Sequence, residues 1–327
     1  MLNRLLSNPY IKMSRIDHWP KNILLVPGYL FAINLTGSDF FDFGTLRNFG
    51  WIFLSTCFAS SANYILNEYA DSKTDLFHPT KNRRINVLET FSGLSIGIVY
   101  LIWATFSLVF ISFTSIGIIL ILTYLFLGIL YNVKPIRLKD ISYLDVVCES
   151  ANNPIRLLLG WVSISKSMSP PITLIIGYWL LGSFLMGAKR LSEFIQLGKT
   201  IDKEMIVKYR KSFKFYNESR LFYFSNLSAY LGVIFLSIFS IKYNPLFIIF
   251  TIIVASWIID YGSQVHIPDS MVQNPEKLVK SYKNFKYSLI LFSSFLSAQF
   301  VSVELVNTVL ETTNLNIIEF WRNLLSS

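Results

Sequence analysis

Long apolar stretches recur along this 327-residue chain, and no other feature restricts its folding as strongly. Nine fall at about 22–37, 49–67, 90–111, 113–131, 141–163, 171–189, 221–241, 244–262 and 285–307. A run of roughly 20 apolar residues crosses a bilayer as one helix, because hydrocarbon leaves the backbone no partner but itself. Hydrophobic residues make up 53% of the chain and charged residues 15%, which leaves no room for a sizeable soluble domain. The expected fold is therefore all-α: a polytopic membrane protein with nine transmembrane helices, forming one integral-membrane domain over 1–327. The first stretch has no small-residue cleavage site behind it and eight more follow. It reads as a span and not as a removable signal peptide.

Charge asymmetry predicts the orientation. The segment before span one and the loops after spans two, four, six and eight hold 24 of the 29 Lys and Arg residues, counting Lys189 and Lys286 at their helix ends. By the positive-inside rule these face the cytoplasm, in a cell membrane with the N-terminus inside and the C-terminus outside. Residues 1–21 carry Arg4, Lys12, Arg15 and Lys21 among apolar residues, the pattern of an interfacial helix. Residues 308–327 are expected to form a second amphipathic segment. The net charge of +9 is thus mainly a topology signal and does not point to nucleic acid. Cys57 and Cys148 fall inside predicted spans, without metal-ligand spacing, and read as small packing residues. His18, His78 and His266 are too scattered to form a metal cluster.

The second span runs directly into acid. Asn63, Asn67, Asp71 and Asp75 recur every four residues, which on one continuous helix makes a single polar stripe. Aligned carboxylates repel each other and are costly near hydrocarbon, so a cation is expected among them. Hard oxygen donors suit Mg²⁺, which keeps several waters and binds through one or two carboxylates plus substrate phosphates. Cations follow at once in His78-Pro79-Thr80-Lys81-Asn82-Arg83-Arg84. A metal beside cations is what a diphosphate requires, although the same residues also serve as topology anchors.

Two further charged places lie at the same predicted membrane face. The loop after span four reads Tyr131-x-x-Lys134-Pro135-x-Arg137-x-Lys139-Asp140, with Asp145 one turn into span five and Arg156 deeper in it. An intramembrane arginine faces a polar cavity or pairs with an acid, and 145 and 156 fall on nearly the same face of one uninterrupted helix. Span six ends in Gly187-Ala188-Lys189-Arg190-x-x-Glu193, a mainly cationic helix end with one acid. The cations from Lys199 to Arg220, Arg210 among them, read as headgroup anchors.

The nine spans, the Asn67-Glu68-x-x-Asp71-x-x-x-Asp75 stripe and the Tyr131…Pro135-Ile136-Arg137-Leu138-Lys139 loop together resemble the UbiA superfamily of intramembrane prenyltransferases. The resemblance implies helices around a central cavity, capped by cytoplasmic loops and open sideways to lipid. Members that use prenyl diphosphates generally carry a second Asp-rich motif after span six. Here Gly-x-Lys-Arg-x-x-Glu stands in that place and His-Pro-Thr-Lys follows the first motif, which is similar to the decaprenyl-phosphate phosphoribosyltransferase branch. That resemblance implies transfer of 5-phosphoribose from phosphoribosyl pyrophosphate (PRPP) to a polyprenyl phosphate in the membrane. It implies Mg²⁺ on Asn67, Glu68, Asp71 and Asp75, of which Asp71 and Asp75 act directly in catalysis. Lys81 and Arg84 are implied to meet phosphate oxygens, and Lys134, Lys139, Asp145 and Arg156 to line the cavity. Lys189 and Glu193, implied to be catalytic as well, and Arg190, implied to bind substrate, would complete a second site for the lipid phosphate. Glu68 stands where Asp is usual, and Leu191 where Tyr is expected.

The alternative activity is prenyl transfer from a polyprenyl diphosphate to an aromatic or other small acceptor, using the same first motif. A transporter would be expected to carry inverted repeats and charges that cross the membrane, and these charges cluster at one face. Small residues at Ser60-Ser61-Ala62 and Gly182-Ser183 permit close helix contacts within or between chains, so a homo-oligomer is compatible with the sequence.

Overall fold

In the computed structural model, residues 8–39, 42–79, 91–273 and 286–294 are described. Lys81, Arg84, segment 308–327 and most of the predicted ninth span lie outside them. Every regular element among the described residues is helical. In chain order, short 3₁₀ turns at Asp75–Phe77, Leu138–Asp140 and Lys211–Lys214 apart, these are α1 (Pro9–Met13), a 3₁₀ helix (Ile16–Leu25), α2 (Val26–Thr36), α3 (Phe43–Asp71), α4 (Gly93–Ile111) and α5 (Ser115–Asn132). Then come α6 (Leu144–Ser150), α7 (Asn152–Val162), α8 (Ile172–Gly198), α9 (Lys203–Tyr209), α10 (Glu218–Tyr243) and α11 (Phe247–Gly262).

Short polar side chains set the starts of the long helices. Asp42 accepts the Thr45 amide at 2.8 Å ahead of α3, and Ser92, Thr114 and Asn217 cap α4, α5 and α10 in the same way. Among the described residues, α3, α4, α5, α8 and α10 are long and apolar enough to cross a membrane. The outer faces carry the exposed apolar side chains that water would not tolerate in such number. Leu94, Leu101 and Val109 on α4 and Ile119 and Phe126 on α5 are each more than half exposed. With lipid as solvent, these are the surfaces that face it. The chain is an integral membrane protein.

Two predicted spans take a different form. The first begins as the 3₁₀ helix, with Pro20 inside it, and becomes α-helical only at Val26. The fifth is interrupted at Ala151, between α6 and α7. Pro154 has no N–H to reach the Ser150 carbonyl, so the helical ladder breaks there. The described residues thus show the expected membrane class, but five full-length apolar helices and not nine uniform ones.

Glycines let the short central helices meet the 3₁₀ segment and α2 closely. A Cβ on Gly28 would lie 1.9 Å from the Leu157 carbonyl oxygen, and one on Gly160 would lie 2.0 Å from that of Leu25. Backbone therefore packs directly on backbone where α2 crosses α7. One core, with Phe31, Leu157, Trp161, Phe184 and Phe239, joins α2 and α7 to α8 and α10. Another, with Ile52, Ala59, Ile121 and Leu159, joins α3 to α5 and α7. This packing brings the end of α3, the loop after α5, the start of α6, the charged part of α8 and the end of α9 to one place.

Candidate active site

The acidic stripe is helical only as far as Asp71. A turn follows, and Asp75 opens a 3₁₀ turn, Asp75–Phe77, so it leaves the face shared by Asn63, Asn67 and Asp71. The expected four-residue stripe on one helix is corrected accordingly. Asp75 nevertheless lines the same cavity as Asp71, together with Thr74, Arg137, Lys139, Asp140, Tyr209 and Arg210. Three acids thus face three cations.

The loop after α5 supplies two of those cations. Arg137 donates to the Ala70 carbonyl at 2.9 Å and to Asp71 Oδ1 at 3.1 Å, and its Nε reaches Asp140 at 3.3 Å. Its φ of 37° lies in the left-handed region, a cost that these three bonds offset. Lys139 Nζ lies 2.6 Å from Asp71 Oδ1, 2.7 Å from Asn132 Oδ1 and 3.3 Å from Asn67 Oδ1. Burial pulls the Lys139 ammonium down to about 8, against the upward pull of Asp71. Glu68 pairs with Arg15 at 3.3 Å. Lys134 is exposed on the loop.

The second group is arranged differently from the expected cationic pocket. Arg190 is buried, and three carboxylates surround its guanidinium: Asp145 at 3.3 Å, Glu149 at 2.5 Å and Glu193 at 3.3 Å. A charge so fully neutralised is not presented to an anion. Asp145 also accepts from Tyr216 at 2.5 Å and Ser212 at 3.0 Å, and Arg210 lies 3.5 Å away. Glu193 accepts from Tyr209 at 2.7 Å, and Lys189 adds positive charge near Glu149. The Tyr131 hydroxyl ties the two groups together: it donates to Glu149 at 2.9 Å and accepts from Arg210 at 2.7 Å and Arg190 at 3.3 Å.

Asp145 and Arg156 do not meet. They stand eleven residues apart, about 16 Å along a helix, and Arg156 donates to Asn22 Oδ1 at 3.0 Å and to the Tyr124 hydroxyl at 2.8 Å. Glu149 and Arg210 are the members that sequence reasoning missed. Glu149 follows Asp145 by four residues, the spacing that places two acids on one face, and could have been found by it. Arg210 sits in a run of basic residues that reads as anchors, with nothing local to set it apart.

Oxygen donors at Asn67, Asp71 and Asp75 match what Mg²⁺ prefers. Among the described residues no three His, Cys, Asp or Glu side chains converge as a metal-binding group. An ion here fits if substrate oxygens and water complete its shell.

A profile of the UbiA prenyltransferase family matches residues 25–289. The chain belongs to the UbiA prenyltransferase family. Curated relatives in this family include decaprenyl-phosphate phosphoribosyltransferases of Corynebacterium glutamicum, 26% identical over 68% of this chain, and of Mycolicibacterium smegmatis, 26% identical over 67%. The matched regions span 64% and 66% of those relatives' lengths. The fold is similar to that of a UbiA homolog from Archaeoglobus fulgidus bound to GPP and Mg²⁺, with a TM-score of 0.67 at 14% identity, over 90% of this chain and 100% of that one. The same homolog bound to DMAPP and Mg²⁺ gives 0.66 at 15% identity, with the same coverage of both chains. These solved members of the UbiA family thus share its architecture with this chain at low identity.

Proposed function

We propose that this UbiA-family protein transfers 5-phosphoribose from PRPP to a polyprenyl phosphate, releasing diphosphate, with Mg²⁺ at the Asn67, Asp71 and Asp75 end of the cavity. One observation carries the reading. Where a second metal-binding acid pair would serve a prenyl diphosphate, Asp145, Glu149 and Glu193 close around Arg190. That arrangement leaves one carboxylate motif for one metal-held diphosphate. The names of the two curated relatives, each 26% identical, point the same way.

Mg²⁺, when bound, offsets the charge of the departing diphosphate. Arg137 and Lys139 add positive charge at the same cavity wall, and Lys81 and Arg84, in the segment following Asp75, are assigned to the remaining phosphate oxygens. The bond between C1 of the ribose and diphosphate oxygen breaks with its electron pair leaving on the diphosphate. An oxygen of the lipid phosphate attacks from the opposite face and forms the new C1–O bond. The acceptor is already ionised at neutral pH, so no strong general base is needed and positioning carries the catalysis. Tyr131, Glu149, Arg190 and Glu193 hold Tyr209 and Arg210 at the cavity wall. Glu68, paired with Arg15, is placed to orient the motif from behind.

Lys and Arg abundance in the even-numbered loops supports a cell-membrane location with this site on the cytoplasmic side, the N-terminus inside and the C-terminus outside. The reaction is tested by incubating membranes containing the protein with radiolabelled PRPP and polyprenyl phosphate. Acid-labile, lipid-extractable ribose phosphate is the expected product. Label that enters lipid only from a prenyl diphosphate would overturn the reading in favour of prenyl transfer.

A further inference from the structure

Arg156 differs from Arg190, Lys139, Arg137 and Arg210. Arg190 is enclosed by three carboxylates, Lys139 lies on Asp71, Arg137 bridges Asp71 and Asp140, and Arg210 lies beside Asp145. Arg156 is 8% exposed, and its bonds to the described residues go to two neutral groups, the Asn22 amide oxygen and the Tyr124 hydroxyl. The Tyr124 ring adds a cation–π contact at 5.3 Å. Nε and Nη2 make the two hydrogen bonds, which leaves Nη1 without a protein partner among the described residues.

A guanidinium so buried inside a membrane bundle, with no carboxylate beside it among the described residues, is expensive. Packing does not require it. Ser60 Oγ lies 3.0 Å from the Tyr124 hydroxyl and 3.3 Å from Asn22 Oδ1, so both partners of Arg156 keep a hydrogen bond without it. The missing counter-charge therefore points to a ligand.

Its depth says which ligand. Ser60 precedes Asn67 by about two turns of α3, which places the Arg156 cluster roughly 10 Å below the metal-binding end of the helix, towards the apolar interior. An anion reaching that depth from the lipid side carries its charge on an apolar chain. We infer that Arg156 holds the phosphate of the lipid acceptor. The phosphate then lies on the bilayer side of the donor sugar, opposite the diphosphate held at Asp71, as an in-line displacement requires. This assignment rests on the proposed reaction for the identity of the acceptor, but binding of a lipid monophosphate can be measured without any donor.

The test uses purified full-length protein in detergent, without PRPP, and farnesyl phosphate as the probe, with farnesol and millimolar inorganic phosphate as comparison arms. Arg156→Met should weaken farnesyl phosphate about ten- to a hundred-fold, with Arg156→Lys intermediate, the loss expected for one charged hydrogen-bonding partner. Farnesol should bind wild type and variant alike, and inorganic phosphate should compete poorly, which separates a lipid headgroup from free phosphate. The lipid-free melting temperature of Arg156→Met should not fall. Unchanged farnesyl phosphate affinity would overturn the assignment, as would parallel losses for farnesol and farnesyl phosphate, a lowered melting temperature, or displacement of the probe by inorganic phosphate. If Arg156→Met loses the probe while wild-type membranes fail to use PRPP, the donor reading fails and the lipid-phosphate site stands.

Discussion

Lys139 Nζ lies 2.6 Å from Asp71 Oδ1, so the carboxylate at the end of α3 meets its first cation from the loop after α5. That contact joins two motifs 66 to 68 residues apart, since Arg137 binds the same oxygen at 3.1 Å. It also means that a substrate entering the cavity meets a balanced set of charges, to which a metal diphosphate adds little net charge.

Asp71→Asn and Asp75→Asn should each lower transfer by about a hundred-fold or more, the scale seen when one group that stabilises transition-state charge is removed. Chelation of divalent metal should stop the wild-type reaction, and Mg²⁺ should restore it. The measurement is ribose phosphate incorporation into lipid at saturating PRPP. Turnover of either variant at the wild-type rate would sink the metal assignment.

Arg190→Met should destabilise the protein by about 3–5 kcal/mol, because it leaves buried carboxylates without their counter-charge. Asp145 is fully buried and Glu193 partly so, and both face that guanidinium. Thermal unfolding in detergent reads the effect directly. A double variant, Arg190→Met with Glu149→Gln, should recover part of the loss, and a melting temperature equal to wild type in the single variant would contradict the role given to Arg190.

Tyr131→Phe keeps the ring, which lies 5.8 Å from Lys139 Nζ, and deletes the hydroxyl shared by Glu149, Arg190 and Arg210. Removing one partner from a charged network costs about 1.5–3 kcal/mol. We expect kcat/KM for the donor to fall about ten-fold or more, with the spans still assembled. Steady-state kinetics of the purified variant decide it; an unchanged kcat/KM would show that the network does not position the cavity wall.

Gly160→Ala should lower stability by about 1–3 kcal/mol through overpacking, since its added methyl meets the Leu25 carbonyl oxygen at 2.0 Å. Gly50→Ala, where nothing lies within 4 Å of the new carbon, is the control. Equal melting temperatures for the two variants would mean that α2 and α7 do not cross as closely as described.

The place of the first motif was legible because acids at four-residue spacing that continue an apolar helix stand out along the chain. Asn67, Asp71 and Asp75 and the Arg137-Leu138-Lys139 loop all reach one cavity or its edge. The second group was misread for a physical reason. Lys189-Arg190 looks cationic in one dimension, but its charge is balanced by Asp145 and Glu149 from another helix. Arg156 stood out in the sequence as an intramembrane cation, but its partners, Asn22 and Tyr124, lie far away in the chain and could not be read from spacing along one helix.

Hydropathy alone determined that this chain lives in a bilayer as a bundle of helices, since in hydrocarbon each helix must satisfy its own backbone and its residues declare it locally. The polar ladder that ends at Asp71 was equally local, a matter of spacing along one helix. Which charges cancel and which stay uncompensated was decided only by tertiary structure. Electrostatic pairing depends on distances between segments far apart in the chain, and it made Arg190 a neutralised strut while leaving Arg156, among the described residues, with neutral partners alone.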